Sequence, residues 1–523
     1  MLISAVCLFL LVGMFMLPLP GFEADELLFI KAWWHPETVA AHISIFRHWF
    51  PLMAMTYVGA LKSWLFAPLL SVLGTNTWAV RLPPLLLTCL TLVLLAIFLR
   101  RICGWTAALF STWLLATDAT LLYTSIMDWG PVVLQNLLLV SGLLLFERWH
   151  VKRRRFLFFS GALCFGLALW DKALFFWNLG GMAVAFLIVG FSFIRRNLRW
   201  QLLLAGGLGF LLGAWPLIRY NIRHRGATLA ENTDFVYDQI DYKIRYLQLA
   251  VDDKASIAPF ADYTAPAPAA PIAAPFGHSA IVLSKKLPVT SAGPRFWLIV
   301  AMLTAGIILG SGVQRRWAAF FALTASLAWI QSAVTPNSGG SLHHSVLLWP
   351  LLYAGAGLGA GAIATRLGRF GPPAVALLTA VFAVWGLLAF VQMYAMAVSV
   401  SFRPQFSSAD RGLGEYLGRE HITRAIVTDW GIGDLIDVRT NRAVQIDDQI
   451  VQIRDNQLNV SRLQDCLLPS CTVVAYVTHR DVFPNQGEKL DQELARSNLR
   501  RHAKAVITDA LGTPMFQLFQ VGP

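Results

Sequence analysis

Long apolar blocks recur from the first residue to about residue 398, and this feature constrains the fold most. A helix that crosses a bilayer needs about 20 largely apolar residues. Of all residues, 56% are hydrophobic and 14% are charged, whereas a soluble domain carries about 25% charged residues. The sequence therefore predicts an α-helical polytopic membrane protein with about 11 transmembrane helices. The apolar blocks lie near residues 2–19, 78–99, 104–123, 129–146, 156–170, 174–194, 200–218, 296–312, 317–334, 345–364 and 371–398.

Short basic turns orient these blocks in the membrane. An alternating count of the spans places all of these turns on one side, and the positive-inside rule makes that side cytoplasmic. The turns also contribute to the net charge of +12, so the charge indicates membrane orientation rather than binding of nucleic acid. The basic turns are residues 100–101, 147–155, 195–199, 315–316 and 366–369.

One further apolar segment, residues 52–72, is ambiguous. Lys62 lies in its middle and Pro68 follows, and a charge at the bilayer centre is costly. The sequence therefore favours a juxtamembrane helix at the outer face, with Lys62 reaching up to the headgroups. The alternative is a twelfth span, which would move the acidic residues 23–26 to the cytoplasmic side.

The chain divides into a transmembrane domain, residues 1–400, and a more polar tail, residues 401–523. The first apolar block lacks a basic start and a small-residue cleavage site, so we expect it to be retained as a helix. A long extracytoplasmic loop, residues 219–295, includes a stretch rich in Ala and Pro that we expect to be extended. In the tail, predicted strands alternate with predicted helices, which is typical of a small α/β domain.

With eleven spans the tail is extracytoplasmic. In that compartment Cys466 and Cys471, in "DCLLPSC", can form a local disulfide, whereas in the cytosol they would stay reduced. The tail also contains "DWGIGD", residues 429–434. A lone Gly-x-Gly of this kind marks a strand-to-helix turn more often than a phosphate site.

The first outer loop gathers acidic and aromatic residues directly after the first block. Asp25 and Glu26 are candidates for a general base, since neighbouring carboxylates raise each other's pKa. The alternative is that these acids only stabilise the start of a helix. Trp33, Trp34 and their aromatic neighbours indicate an interfacial belt, with a stacking surface for a sugar ring as the alternative.

Further polar residues fall at the outer ends of later blocks. Asp128, in "SIMDWGP", is a candidate second acid facing a sugar or a metal ion, or else the cap of the next helix. Lys172, in "LWDKAL", either contacts a phosphate or pairs with Asp171. Arg219 begins the long loop, and it either binds phosphate through its planar fork or meets anionic headgroups.

A pair of histidines precedes the tenth block. His343 and His344 can donate hydrogen bonds to a phosphate, or join a metal site together with Asp or Glu. No His or Cys pair stands at the spacing of a metal site elsewhere in the chain. The sequence therefore predicts no metal or other cofactor, while leaving a divalent ion open.

The order of these features resembles the C-type membrane glycosyltransferases, which include the family 39 protein O-mannosyltransferases and the aminoarabinose transferases that modify lipid A. The resemblance covers roughly residues 1–400, whereas the tail resembles no family. An acidic pair follows the first span, "LGTNTWAVRLP" leads to the basic turn "RRICG", and the later segments are "SIMDW", "GLALWDKALFF", "LIRYNIRHRGATL" and "HHSVLLWPLL".

The resemblance implies that an acid of the first outer loop, here Asp25 with Glu26 beside it, acts at the reaction centre. It also matches Lys172 to a lysine of the family's Thr-Lys-Gly turn, although this chain reads "WDKA" at that point. The implied activity is transfer of a hexose or pentose from a polyprenyl-phosphate carrier. The implied acceptor is a hydroxyl on a lipid, an envelope glycan or a protein. The polar residues gather at the outer ends of the blocks, which indicates a site at the outer face, and the compact turns favour a bacterial inner membrane.

Two alternatives stay open at this point. A transporter or flippase of lipid-linked glycans would explain the spans, although transporters place polar residues near the midplane, often in inverted repeats. A polysaccharide ligase or polymerase that uses a pyrophosphate-linked donor would also suit the basic outer loops.

Overall fold

A computed structural model describes residues 1–128, 130–197, 199–230, 234–254, 260–287, 294–336, 338–464, 466, 468–477 and 479–523. Three parts of the predicted long outer loop, residues 231–233, 255–259 and 288–293, lie outside the described residues. So do Trp129, which follows Asp128, and Leu198 of the third basic turn.

The first 400 residues are mostly helical, as the apolar blocks predict. A short hairpin of β1 and β2 lies between the second and third helices. The helices are α1 (Leu2–Met16), α2 (Ala24–Trp34), α3 (Leu61–Leu73), α4 (Thr77–Cys103), α5 (Trp105–Ala116), α6 (Ala119–Met127), α7 (Val133–Lys152), α8 (Arg155–Asp171), α9 (Phe175–Asn197), α10 (Trp200–Arg223), α11 (Ala227–Ala230), α12 (Ile240–Val251), α13 (Gly277–Lys286), α14 (Arg295–Leu309), α15 (Gly312–Ala333), α16 (Leu342–Ser345), α17 (Trp349–Arg366) and α18 (Gly371–Ser399), and the strands are β1 (Ala41–Ile45) and β2 (His48–Met53).

Among the described residues, four helices are long and apolar enough to cross a membrane: Thr77–Cys103, Trp200–Arg223, Leu342–Arg366 and Gly368–Ser399. Shorter apolar helices add to these, so the predicted number of spans is not confirmed. One reason is that the predicted block 104–123 is two helices, α5 and α6, rather than one. The Asp118 carboxylate accepts the N–H of Leu121 at 2.7 Å, and this cap begins α6.

The ambiguous segment 52–72 does not form one long helix. Its first residues belong to β2, and α3 has only 13 residues. A helix of that length extends roughly 20 Å, against about 30 Å for the bilayer core. The expectation that Lys62 reaches the headgroups is wrong, because the Lys62 side chain is only 3% exposed and pairs with Asp128 at 2.6 Å.

Close backbone approach holds α8 against α10. Gly209 and Gly213 stand four residues apart on α10 and face α8. A Cβ atom on Gly213 would lie 2.6 Å from the carbonyl oxygen of Leu163. Small residues at this spacing let membrane helices pack closely, as in other small-xxx-small pairs.

The tail folds as the predicted small α/β domain. Its five-stranded sheet has the order β4-β3-β5-β7-β6, with β3 parallel to β4 and β5, and with β7 antiparallel to β5 and β6. Cys466 and Cys471 form the predicted disulfide. The elements are α19 (Ala409–Arg419), β3 (Arg424–Val427), α20 (Ile432–Arg439), β4 (Gln445–Asp448), α21 (Ile450–Arg454), α22 (Val460–Gln464), β5 (Cys471–Tyr476), α23 (Gln486–Arg496), β6 (Arg500–Thr508) and β7 (Pro514–Gly522).

The C-terminal domain contacts the first outer loop directly. The Gly21 N–H donates to the carbonyl of Phe406, and the Phe22 N–H donates to the Asp410 carboxylate at 3.1 Å. Helix α20 packs along α2, and a Cβ atom on Gly431 would lie 3.3 Å from the Cβ of Ala24. The "DWGIGD" turn, which the sequence marks as a strand-to-helix connection, therefore sits beside the acids of α2.

Candidate active site

Helix α2 begins with a capping box made by two of the three acids near it. The Glu23 carboxylate accepts the N–H of Asp25 at 2.6 Å, and the Glu26 carboxylate accepts the N–H of Glu23 at 2.9 Å. The helix-stabilising alternative therefore holds for Glu23 and Glu26. Burial, with Asp25 and Glu26 nearby, raises the pKa of Glu23 well above its ordinary value.

Glu26 also forms a buried ion pair with Arg81 of α4. The Arg81 Nε lies 2.9 Å from Glu26, and a second guanidinium nitrogen bonds the other carboxylate oxygen. Arg81 donates to the carbonyls of Leu17 and Pro20 as well, each at 2.9 Å. These bonds connect the end of α1 to the start of α2, and both carboxylate oxygens of Glu26 have structural partners.

Asp25 differs from its neighbours. Its side chain is half-buried, and no described residue forms a hydrogen bond or an ion pair with the carboxylate. Burial raises the pKa of Asp25, whereas the charges of Lys172 and Lys62 act in the opposite direction. Asp25 is therefore an accessible carboxylate whose pKa favours accepting a proton.

Lys172 approaches Asp25 because the turn after β2 pairs with the turn after α8. The Gly59 N–H donates to the backbone carbonyl of Asp171 at 3.0 Å, and the Ala173 N–H donates to the backbone carbonyl of Tyr57 at 2.8 Å. Val58 forms a bridge with Lys172 between these two bonds. The Lys172 ammonium donates to the carbonyl of Gly130 at 2.6 Å, and burial lowers the pKa of Lys172 to about 8.

Gly130 lies between Lys172 and the histidine pair. Its φ of 67° is in the left-handed region, and a Cβ atom there would lie 3.0 Å from the Lys172 Nζ and would clash with the His343 ring. The His343 and His344 rings are 4.1 Å apart, and the Ser341 hydroxyl lies 2.8 Å from the His344 Nδ1. The structure therefore brings Asp25, Lys172 and both histidines to one region.

Asp128 is held in place by Lys62 and by backbone groups. It ends α6 in a left-handed conformation and accepts the N–H groups of Val132 and Val133, each at 3.1 Å. With Lys62 at 2.6 Å, its carboxylate is fully engaged. The capping interpretation of Asp128 thus fits its contacts, and the neighbouring Asp171 is a buried carboxylate to which no described group donates.

Arg219 forms no hydrogen bond or ion pair with a described residue of this region. It is half-buried near the C-terminal end of α10, and no described carboxylate pairs with it. Its neighbour Tyr220 packs with Leu52 and Trp170. Of the predicted phosphate-binding residues, Lys172, His343 and His344 converge around Gly130, whereas the role of Arg219 stays a prediction. Among the described residues no group of three or more His, Cys, Asp or Glu side chains could hold a metal ion.

No protein-family model and no curated protein matches the chain. Solved structures match it over nearly its whole length. Crystal structures of ArnT from Cupriavidus metallidurans, bound to undecaprenyl phosphate and in the apo state, cover 99% of this chain and 97% of their own. Their TM-scores are 0.60 and 0.59, at 12% and 13% identity.

A third similar structure is the apo oligosaccharyltransferase of Archaeoglobus fulgidus. It covers 91% of this chain and 69% of its own, with a TM-score of 0.50 and 12% identity. The chain has the C-type membrane glycosyltransferase fold. The predicted resemblance is thus confirmed at the level of the fold. The likeness to ArnT also includes the tail, residues 401–523, since that match covers 99% of the chain.

Several residues of this candidate site escaped the sequence prediction. Arg81 lies within "WAVRLP", but nothing local distinguishes it from an arginine at the membrane interface. Glu23 has its carboxylate in the capping box, and Gly130 marks a left-handed turn. A signal for Gly130 exists in the sequence, because Asp-x-Gly-Pro is typical of a turn that needs a positive φ.

Proposed function

We propose that this protein transfers a sugar from a polyprenyl-phosphate carrier to a hydroxyl acceptor, with Asp25 as the general base. The observation that carries the proposal is the contrast within the first turn of α2. Glu26 is paired with Arg81, whereas the half-buried Asp25 carboxylate has no described partner and lies near Lys172. The C-type fold is consistent with this activity, and the ArnT structure that it resembles holds undecaprenyl phosphate.

The chemistry requires one proton acceptor and one site for the departing phosphate. Asp25 takes the proton of the acceptor hydroxyl while that oxygen bonds to the anomeric carbon. The bond between the anomeric carbon and the phosphate oxygen breaks, and the electron pair leaves with the polyprenyl phosphate. Lys172 stabilises the negative charge that develops there, and the His343 and His344 rings supply further hydrogen bonds. Asp128 holds Lys62 and the first turn of α7 rather than the substrate.

We also propose the topology that follows from eleven spans, in which the site and the C-terminal domain lie outside the cytoplasm of a bacterium. The five basic turns then face the cytoplasm. The Cys466–Cys471 disulfide supports this orientation, since disulfides persist in oxidising compartments. The donor sugar is a hexose or a pentose, and the reaction uses no cofactor, so activity should survive a metal chelator.

The test uses purified protein in nanodiscs with a panel of polyprenyl-phosphate sugars and, separately, pyrophosphate-linked glycans. We expect transfer or hydrolysis from one monophosphate donor, and we expect Asp25→Asn to lower turnover by roughly 10²- to 10⁴-fold. Glu415→Gln, an exposed acid of the C-terminal domain, is the matched control and should keep full activity. Wild-type turnover in Asp25→Asn would refute the role of Asp25, and use of pyrophosphate donors alone would favour a ligase or polymerase.

A further inference from the structure

The hairpin of β1 and β2 ends in an exposed tip, residues 44–49. Its two turn residues, Phe46 and Arg47, have φ angles of 49° and 66°. A two-residue turn with two positive φ angles prefers Asn-Gly, because bulky side chains are strained in the left-handed region. Hairpin formation therefore does not account for an aromatic residue and a cation at these positions, which indicates that their side chains have a contact outside the hairpin.

The tip combines exposed aromatic rings with an unpaired cation. Phe46 is 92% exposed and Trp49 is 50% exposed. The Trp49 ring lies against His42, with 4.2 Å between the ring centres. Arg47 is exposed, and no described carboxylate pairs with it. Aromatic rings in water cost free energy that burial recovers, and aromatic residues beside a basic residue are typical of a segment at the boundary between acyl chains and headgroups.

The base of the hairpin lies against helices that reach the membrane. Leu52 of β2 packs in one cluster with Leu217 and Tyr220 of α10, and the Trp170 Nε1 of α8 donates to the carbonyl of Leu52 at 2.7 Å. Helix α10 is long and apolar enough to cross a membrane, and Ile222, at the same end, is 77% exposed. Since β2 has six residues, the tip lies within about 20 Å of this end of α10. The hairpin is therefore within reach of the bilayer surface.

The hairpin is also packed against the elements of the candidate active site. Phe50 of β2 contacts Trp33 of α2, with ring centres 5.9 Å apart, and Trp64 of α3, at 5.8 Å. The Trp64 Nε1 donates to the carbonyl of Pro51 at 2.6 Å. The chain after β2 then pairs with the turn that carries Lys172. A molecule bound at the tip thus contacts an element that touches both α2 and the Lys172 turn.

We propose that the hairpin tip is a binding site for an anionic phospholipid of the adjoining leaflet. Phe46 and Trp49 enter the boundary region, and the Arg47 guanidinium donates two hydrogen bonds to a headgroup phosphate. The negative surface of an anionic leaflet strengthens this pairing, since it attracts basic side chains near it. An acidic protein surface would satisfy Arg47 but would leave the rings exposed, whereas the apolar surface of α10 places a bilayer beside the tip.

The test needs no sugar donor. Trp49 is replaced by p-benzoylphenylalanine, a photo-crosslinker, in the full-length protein. The protein is irradiated in nanodiscs of phosphatidylcholine with and without phosphatidylglycerol, and mass spectrometry identifies the adducts. We expect phospholipid adducts in which phosphatidylglycerol exceeds its share of the bilayer. Arg47→Ala should lower this excess about fivefold, the effect of one cation near an anionic surface. The control Arg419→Ala removes an exposed arginine of the C-terminal domain, and the excess should persist.

A double variant separates lost contacts from a lost hairpin. Phe46→Asn combined with Arg47→Gly introduces the residues that the turn prefers, so the hairpin stays formed while both side chains are removed. Phospholipid adducts should fall at least about tenfold, because burial of the Phe46 ring is lost as well. p-Benzoylphenylalanine in place of Leu468, which is 65% exposed in the disulfide loop of the C-terminal domain, should give no lipid adduct.

Four outcomes would overturn the inference. They are no phospholipid adduct from the probe at Trp49, no excess of phosphatidylglycerol, equal adducts in the double variant, or adducts with a second protein in place of lipid. Loss of the adducts on addition of undecaprenyl phosphate would also overturn it, because the tip would then bind the carrier lipid. Sugar transfer together with any of these outcomes would refute this inference alone, whereas phospholipid binding without transfer would refute the proposed function alone.

Discussion

Neighbouring residues of α2 have different surroundings because each step along a helix turns the side chain by about 100°. Glu26 pairs with Arg81, whereas Asp25 has no described partner, and burial with the charge of Asp25 raises the pKa of Tyr57, in the turn after β2. Burial raises the pKa of Glu26 as well, but the Arg81 guanidinium opposes this and keeps the carboxylate engaged. Residue type alone does not distinguish a catalytic base from a structural carboxylate. The distinction depends on whether the carboxylate has an ion-pair partner.

At this scale, the pH dependence of kcat/KM should report Asp25 and Lys172. Burial raises the pKa of Asp25, so activity should fall when the pH drops and Asp25 becomes protonated. The pKa of Lys172 is lowered to about 8, so activity should also fall as the pH rises through about 8 and the ammonium loses its charge. Lys172→Arg should move the alkaline limb upward, because arginine stays protonated.

The control for that profile is Lys285→Arg, since Lys285 is an exposed residue of α13. It should leave both limbs in place. An alkaline limb that stays near pH 8 in an active Lys172→Arg variant would contradict the assignment.

Gly130 gives a second prediction for a single residue. Gly130→Ala should reduce transfer strongly, because a Cβ atom there would clash with His343 and crowd the Lys172 ammonium. Gly104→Ala is the matched control, since Gly104 also has a positive φ of 85° but has nothing within 4 Å of a Cβ atom. Both variants place a Cβ atom at a positive φ, so a loss of donor affinity confined to Gly130→Ala reports the clash. Equal losses of donor affinity in the two variants would remove Gly130 from the site.

At the scale of elements, buried ion pairs connect helices that are distant in the chain. Lys62 of α3 and Asp128 at the end of α6 are each 3% exposed and lie 2.6 Å apart. Removing one partner of such a pair leaves an uncompensated buried charge, which costs about 3–5 kcal/mol, whereas replacing both is often close to neutral. The pair therefore fixes how α3 sits against α6 and α7.

We expect Lys62→Met and Asp128→Asn to lower thermal stability in nanodiscs, and the double variant to recover a large part of the loss. Asn is suitable because it keeps an oxygen that can accept the N–H groups of Val132 and Val133. The exposed pair Arg419–Glu420 serves as the control, and its removal should change little. Additive losses in the double variant would mean that the two residues act independently.

For the whole molecule, the docking of the C-terminal domain on α2 should govern activity. Lys31 pairs with Asp434, and the charges of Asp437 and Asp448 also favour its protonated form. Lys31→Asp would place a negative charge among these carboxylates, so we expect α20 to separate from α2 and transfer to fall several-fold. The double reversal, Lys31→Asp with Asp434→Lys, should restore the packing of α20 on α2 and the rate of transfer.

Hydrogen exchange of the α20 amides measures the docking of the C-terminal domain, and turnover measures its effect on activity. Reversing the exposed pair Arg454–Asp455, in the same domain, is the control and should alter neither. If Lys31→Asp keeps full protection of α20 together with full activity, docking through this pair does not govern the reaction.

The predictable parts of this molecule were those with a local signal. Hydrophobic length and the basic turns indicated a polytopic membrane protein, and alternating strands and helices indicated the α/β domain with its disulfide. The cap at Asp118 is also local, since its partner Leu121 is three residues away. The position of Lys62 was predicted wrongly. A lysine within an apolar segment gives the same sequence pattern whether its ammonium contacts lipid headgroups or pairs with a buried aspartate.

By itself, the sequence determined that the chain enters a membrane, that a small α/β domain follows, and that polar residues gather at one end of the apolar blocks. Only the tertiary structure decided which of those residues have partners. Glu26 and Arg81 are 55 residues apart, and Lys31 and Asp434 are 403 residues apart. Periodicity and composition indicate burial over a few turns of chain, whereas ion pairs across such distances depend on how the helices pack. That the Asp25 carboxylate has no partner in the described part of the chain was therefore visible only in the folded molecule.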